Sequence, residues 1–256
     1  MRHVLMALAL LACPAAVMAQ DVHFLGETHD NPGHHARQAE RVFALQPKAL
    51  VFEMLTAEQA ALVEPDLLGD QSALQAALRW DDSGWPDFGM YYPIFTAVPT
   101  AQIFGAAVPR EDARRLMSEP VEAVFGVDSG RFGLDQPLPS DQQIAREAMQ
   151  LAAHCDALPA EMLPMMVNMQ RLRDAALARS IIAAIEDTGG PVAVITGNGH
   201  ARKDWGAPAI LAISMPDLTV TALGQGEEGG GAPDGLFDEI AYSPPTPRED
   251  PCAAFQ

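Results

Sequence analysis

The sequence predicts an α/β protein: a mostly parallel sheet flanked by helices, with a smaller helical subdomain inserted. Two patterns carry this. Short apolar runs alternate with helical patterns near both ends of the chain, and long stretches between them read as helix alone. A hydrophobic fraction of 48% against 20% charged residues over 256 positions is enough for one large domain with a packed core.

In order, Val22–Leu25 (VHFL) is a short apolar strand, followed by the polar GETHDNPG and a helix over His34–Gln46 with Ala39, Val42, Phe43 and Leu45 as its apolar positions. Pro47 ends that helix. Ala49–Leu55 (ALVFEML) is a second strand with Glu53 near its carboxyl end, and a right-handed crossover makes the two parallel. Thr56–Glu64 and Asp70–Trp80 read as helices separated by Pro65 and Gly69, and Tyr92–Val98 as another after the turn-rich SGWPDFG. Ala101–Ala107 is a third strand that runs out at Pro109 and Arg110, and Glu111–Glu119 is helical. After a Gly- and Pro-rich stretch over 128–139, residues 141–154 and 160–187 form two long helices around Pro159. Pro191–Thr196 (PVAVIT) is a strongly apolar strand leading into GNGH, and Ala209–Ile213 and Leu218–Ala222 read as two more strands. Beyond Gly224 the chain reads as loop-rich, with GEEGGGAPDG flexible. The mature domain is thus expected over 20–256, with 56–98 and 141–187 contributing the helical subdomain.

Residues 1–19 carry the marks of a cleavable export signal: basic Arg2, an apolar run from Val4 to Ala12, and small residues before Gln20. Export across the inner membrane, to the periplasm, is the expectation. Cys13 resembles a lipidation site, but bulky Leu11 and the short preceding run favour cleavage after Ala19. Two cysteines then remain, Cys155 and Cys252, the count expected of one disulfide in an oxidising compartment, with two unrelated thiols the alternative. A formal charge of -18, with 16 basic against 34 acidic residues and no basic stretch, makes nucleic acid a poor partner.

Four strand ends carry polar groups: Glu27, His29, Asp30 and Asn31 after the first strand, Glu53 on the second, Arg110 after the third, and His200 after PVAVIT. Parallel strands bring such ends to one edge, where open α/β sheets bind ligands. Two imidazoles and two carboxylates there suit a divalent metal ion or a general acid and base, and both uses stay open. If catalytic, Glu27, His29, Glu53 and His200 activate a water, metal-bound or not, with Arg110 stabilising negative charge. The sequence has no G-x-S-x-G and no H-E-x-x-H. His34 and His35 are peripheral in this reading.

The segments FLGETHDNPGHH, ALVFEML, GAAVPR, QRLRDAALA and VAVITGNGHARKDWGAP occur in an order that resembles ChaN-like haem-binding uptake proteins, within the superfamily that includes Tiki proteases and erythromycin esterase-like enzymes. The resemblance runs from about His23 to Ile213 and on into the tail. It implies an α/β domain plus a small helical one, haem as the cofactor, and a role in haem or iron uptake. An outer-membrane haem receptor or carrier and a second copy of the chain are the partners such uptake admits. It also places the superfamily signature on Glu27, His29, Glu53 and His200, positions that bear metal-dependent or acid/base hydrolysis in other branches. Haem needs an axial donor, an apolar slot and cations for its propionates. Tyr91 and Tyr92 are the expected axial candidates, with an aromatic anchor beside Phe88 and Phe95 the alternative; Met166 in the Met162, Met165, Met166, Met169 stripe is a wall of the slot or else core packing; and Arg173, with Arg110 and Arg171, is a propionate partner, Arg171 equally suiting a solvated helix face.

Overall fold

The computed structural model describes residues 21–250 and 252–253. The segment read as an export signal, Cys13 included, lies outside the described residues.

Six strands form one all-parallel sheet: β1 (Asp21–Glu27), β2 (Ala49–Phe52), β3 (Gln102–Gly105), β4 (Val192–Gly197), β5 (Thr219–Glu227) and β6 (Glu239–Ser243). Their order across the sheet is β3-β2-β4-β1-β5-β6, so the first strand of the chain is paired on both sides by strands from its last quarter. This is the predicted α/β class.

Side chains alternate between two covered faces, as in parallel sheets buried on both sides. Ala49, Val51, Val192 and Val194 point to one core, and Leu50, Phe52, Ala193 and Ile195 to the other. The second core is covered by α1 (Pro32–Leu45) together with α2 (Ala57–Ala60), α3 (Gln71–Ala77) and α4 (Phe88–Ala97), whose Val42, Ala60, Leu74, Phe88, Ile94 and Phe95 fill it. Behind the opposite face lie α5 (Arg110–Arg115), α6 (Val121–Phe125), α7 (Ser140–Ala153) and the long α8 (Leu163–Thr188), which buries Ala178, Ile181 and Ile185 against the sheet. The short α9 (Asn198–Ala201) and then α10 (Ala207–Ser214) follow β4.

Local signals set the boundaries. Asn31 caps α1 by accepting from Gly33 and His34 N–H, with Pro32 opening the helix. Thr56 and Gln59 form a reciprocal capping box on α2. Gly189, at φ 74°, lets α8 stop in the left-handed conformation.

Two expectations are corrected. Ala209–Ile213 is not a strand; it lies within α10. Gly206 and Pro208 start that helix, and a short apolar run cannot by itself distinguish strand from buried helix. The loop-rich chain beyond Gly224 also holds strand: β5 continues to Glu227, and β6 pairs parallel to it across the Gly-rich connection. Cys155 and Cys252 are disulfide-bonded, with Cα atoms 5.5 Å apart.

Candidate functional site

The ends of β1, β2 and β4 meet at one level. Glu27 is in register with Gly197, Phe52 with Ile195, and the Glu53 N–H bonds back to the Ile195 carbonyl. Glu27, Glu53 and the β4–α9 turn therefore share one edge of the sheet, as a parallel topology requires.

At Glu27, Oε1 accepts from His29 Nδ1 at 2.8 Å and from the Tyr91 hydroxyl at 2.9 Å. Its Oε2 is buried 3.3 Å from His35 Nδ1 without a well-formed hydrogen bond. The His29 ring packs edge-on against Trp85 at 4.8 Å and remains 38% exposed. Gly197 makes room for it: a Cβ there would lie 3.0 Å from His29 Cε1. Burial pulls the His29 pKa down, but the bond to Glu27 and the charges of Glu53 and Glu27 outweigh it, leaving the ring more basic than usual.

Across the edge, His200 Nδ1 lies 2.6 Å from Asp174 Oδ1, on α8, and its Nε2 faces Glu53 Oε1 at 3.7 Å. Although burial opposes its charge, the two flanking carboxylates push the His200 pKa up to about 9. The Asp174 carboxyl is itself raised by burial, against the pull of His200. Glu53 Oε2 accepts from the Thr196 hydroxyl at 2.6 Å and from Gly197 N–H at 2.8 Å. Burial disfavours its charge, yet the two imidazoles and these donors hold its pKa below the usual range.

These groups open into a cleft of about 700 Å³ lined by His29, Trp85, Arg110, Gln170, Arg173 and His200, among others. The structure thus brings together Glu27, His29, Glu53 and His200, with Arg110 and Arg173 at the same cleft; Arg110 also donates to the Ser83 carbonyl at 3.1 Å. Tyr91 and Tyr92 do not line it. Tyr91 is fully buried with its hydroxyl on Glu27, where burial and the neighbouring carboxylates raise its pKa far above the ordinary value. The Tyr92 hydroxyl donates to the Leu68 carbonyl at 2.7 Å. Met166 is half-buried on α8, one turn before Gln170 and outside the lining. Arg171 donates to the Gly133 and Gln136 carbonyls.

The sequence reading missed Asp174 and Trp85, and it set His35 aside as peripheral. His34 and His35 are both fully buried and hold the loop after β1: His34 Nδ1 accepts from Thr28 N–H, and His35 Nε2 bonds to the His29 carbonyl. Among the described residues no three His, Cys, Asp or Glu side chains converge to hold a metal ion, and Glu53 Oε2 is taken by two donors.

An all-parallel α/β domain with an open cleft at its strand ends has its polar groups where sheets of this class bind ligands. The chain belongs to the family described as haem-binding uptake, Tiki superfamily, ChaN, which it matches over residues 14–211. Among solved structures it is similar to that of cofacial haem binding to ChaN of Campylobacter jejuni, with a TM-score of 0.56 and 17% identity, covering 82% of each chain. A second similar structure, the type III effector HopBA1, has a TM-score of 0.46 and 16% identity over 91% of each chain. No curated protein matches.

Proposed function

We propose that this chain is an exported haem-binding protein that holds haem in the strand-end cleft and serves haem or iron uptake as a carrier or accessory protein. The observation that carries this is the family match over residues 14–211. The cleft supports it: its volume of about 700 Å³ lies within the range of about 300–1,000 Å³ typical of small-molecule sites. Val108 and Leu177 supply apolar wall, and Arg110 and Arg173 can meet propionates. With Nδ1 turned to Glu27, which fixes the ring's orientation, His29 would hold the haem iron through Nε2. Bound haem would supply its iron as the point of attachment; the chain's own residues orient it and exclude water.

Export rests on the segment 1–19, and a periplasmic setting agrees with the Cys155–Cys252 disulfide. An outer-membrane haem receptor or carrier is the delivery partner in this reading, with a second copy of the chain as the other candidate partner.

A second reading, acid–base hydrolysis of an ester or amide, is favoured by one observation: the buried Asp174–His200–Glu53 array. At neutral pH His200 there is an imidazolium able to give a proton, with Arg110 near enough to the cleft to stabilise an oxyanion.

The test is a haem titration of residues 20–256 followed through the Soret band, repeated on His29→Ala, Tyr91→Phe, Tyr92→Phe and His200→Ala. The expected result is a saturable shift that His29→Ala removes and His200→Ala keeps. Loss in a tyrosine variant alone would move the iron to that residue, and a flat titration of the unaltered protein would sink the haem reading. Ester or amide turnover that His200→Ala abolishes would then establish the second.

A further inference from the structure

On the other side of Asp174 from the cleft lies a separate pocket of about 200 Å³, lined by Arg146, Met149, Val167, Gln170, Arg202 and Trp205, among others. It sits between α7, α8 and the turn that follows α9, and neither proposed activity uses it.

One of its cations has no direct ion pair: Asp174 and Asp204 offset Arg146 only through space. Arg202 is paired with Asp204 through two bonds, Nε to Oδ1 at 2.8 Å and Nη2 to Oδ2 at 2.6 Å. Asp174, which also lines the pocket, is taken by His200. Arg146 makes no ion pair among the described residues, although it is only 7% exposed. Its guanidinium donates from Nη2 alone, to Gln142 Oε1 and the Trp205 carbonyl, both at 3.3 Å, while Nε is buried without an acceptor. A guanidinium keeps its charge at any physiological pH, so a buried one with unfilled donors is a costly arrangement that an anion relieves. Trp205 steadies both guanidinium groups: its ring lies 5.2 Å from Arg146 Cζ and 4.0 Å from Arg202 Cζ.

The remaining wall is mostly apolar, from Met149, Ala153, Val167 and the indole ring, with Gln150 and Gln170 beside them. One buried cation without a direct ion pair at a small, largely apolar pocket matches one ligand chemistry: a monoanionic head on a short apolar body. The volume falls below the range of drug-sized sites, of about 300 Å³ upward, and is far from that of a macrocycle. We propose that this pocket is a second ligand site, built for the carboxylate of a small apolar organic acid that Arg146 binds. The inference is independent of the haem reading, because it rests on residues outside that cleft except for the shared Gln170 and Gly199.

Benzoate is the probe, titrated calorimetrically into residues 20–256, with benzamide as the uncharged counterpart and inorganic phosphate as the rival anion. One saturable benzoate site is expected, with benzamide weaker by about tenfold or more, as loss of a charged hydrogen-bond partner implies. Arg146→Gln should weaken benzoate by a similar factor. Because that variant removes a buried residue, Ala153→Trp provides the second arm: Ala153 is exposed at the end of α7, so the indole blocks the pocket while thermal unfolding stays unchanged. Binding that survives in both variants, a flat benzoate titration, or phosphate binding tighter than benzoate would each overturn the proposal. So would loss of benzoate in Arg173→Gln with retention in Arg146→Gln, since that places the acid in the main cleft.

Discussion

Glu27 acts on its surroundings through single atoms. Oε1 anchors both His29 and Tyr91, so Glu27→Gln removes the charge that makes His29 basic, and the imidazole pKa should fall, a change that an NMR titration of the ring reads directly. Protons and iron compete for the same ring in the haem reading. Because the His29 pKa is raised, Soret-monitored affinity should drop as pH falls through that pKa, and the drop should move to lower pH in Glu27→Gln. His200 predicts the opposite trend for stability. Its pKa goes from 6.5 to about 9 on folding, so its contribution is complete below about pH 6.5 and is lost as pH rises through about 9. The loss is on the order of 3 kcal/mol; urea midpoints measured from pH 6 to 10 should decline over that window, and His200→Gln should flatten the decline. Glu27, His29, Glu53 and His200 were legible in the sequence because each follows an apolar strand. Asp174 was not, since a carboxylate in a helix normally faces water. Its signal was positional: Val167, Ala178, Ile181 and Ile185 make a buried stripe on α8, and Asp174 falls on it.

The elements were most legible where their chemistry was local. Strands β1, β2 and β4 are apolar runs ended by Gly, Pro or polar clusters, and α1 and α8 carry long helical periods. α10 was misread because AILAI has no length to show a period, although Gly206 and Pro208 ahead of it are helix-start signals. β6 was missed because EIAYS alternates over five residues only and follows a Gly-rich stretch. The contacts between elements also test the packing. At Gly105, the last residue of β3, a Cβ would lie 2.2 Å from the Thr56 carbonyl oxygen, so no side chain fits without backbone movement. Gly105→Ala should lower stability by about 1–3 kcal/mol, seen as a reduced urea midpoint, because overpacking forces the β3 end away from the turn before α2. Gly197→Ala acts at the site instead. Its Cβ would meet His29 Cε1 at 3.0 Å, so haem affinity should fall more than stability does.

At the scale of the whole molecule, one covalent tie joins the end of the chain to the segment after α7. The Cys155–Cys252 bridge spans 97 residues, and its removal should cost about 2–4 kcal/mol, measured as the difference in urea midpoint with and without reductant. Near that tie Arg248 grips Asp30 and Glu227, beside the loop that carries His29, so reduction should also loosen the cleft. The parallel class of the sheet followed from the alternation of strands and helices, but its order did not, because strand neighbours are set by contacts distant in sequence. The central place of β1 has a consequence in time. It is the first strand of the fold to leave the ribosome, yet its partners are residues 192–197 and 219–223, so for most of synthesis it has nothing to pair with. Closure of the sheet around β1 therefore has to wait for residues 219–223, which makes its pairing a contact of long sequence separation.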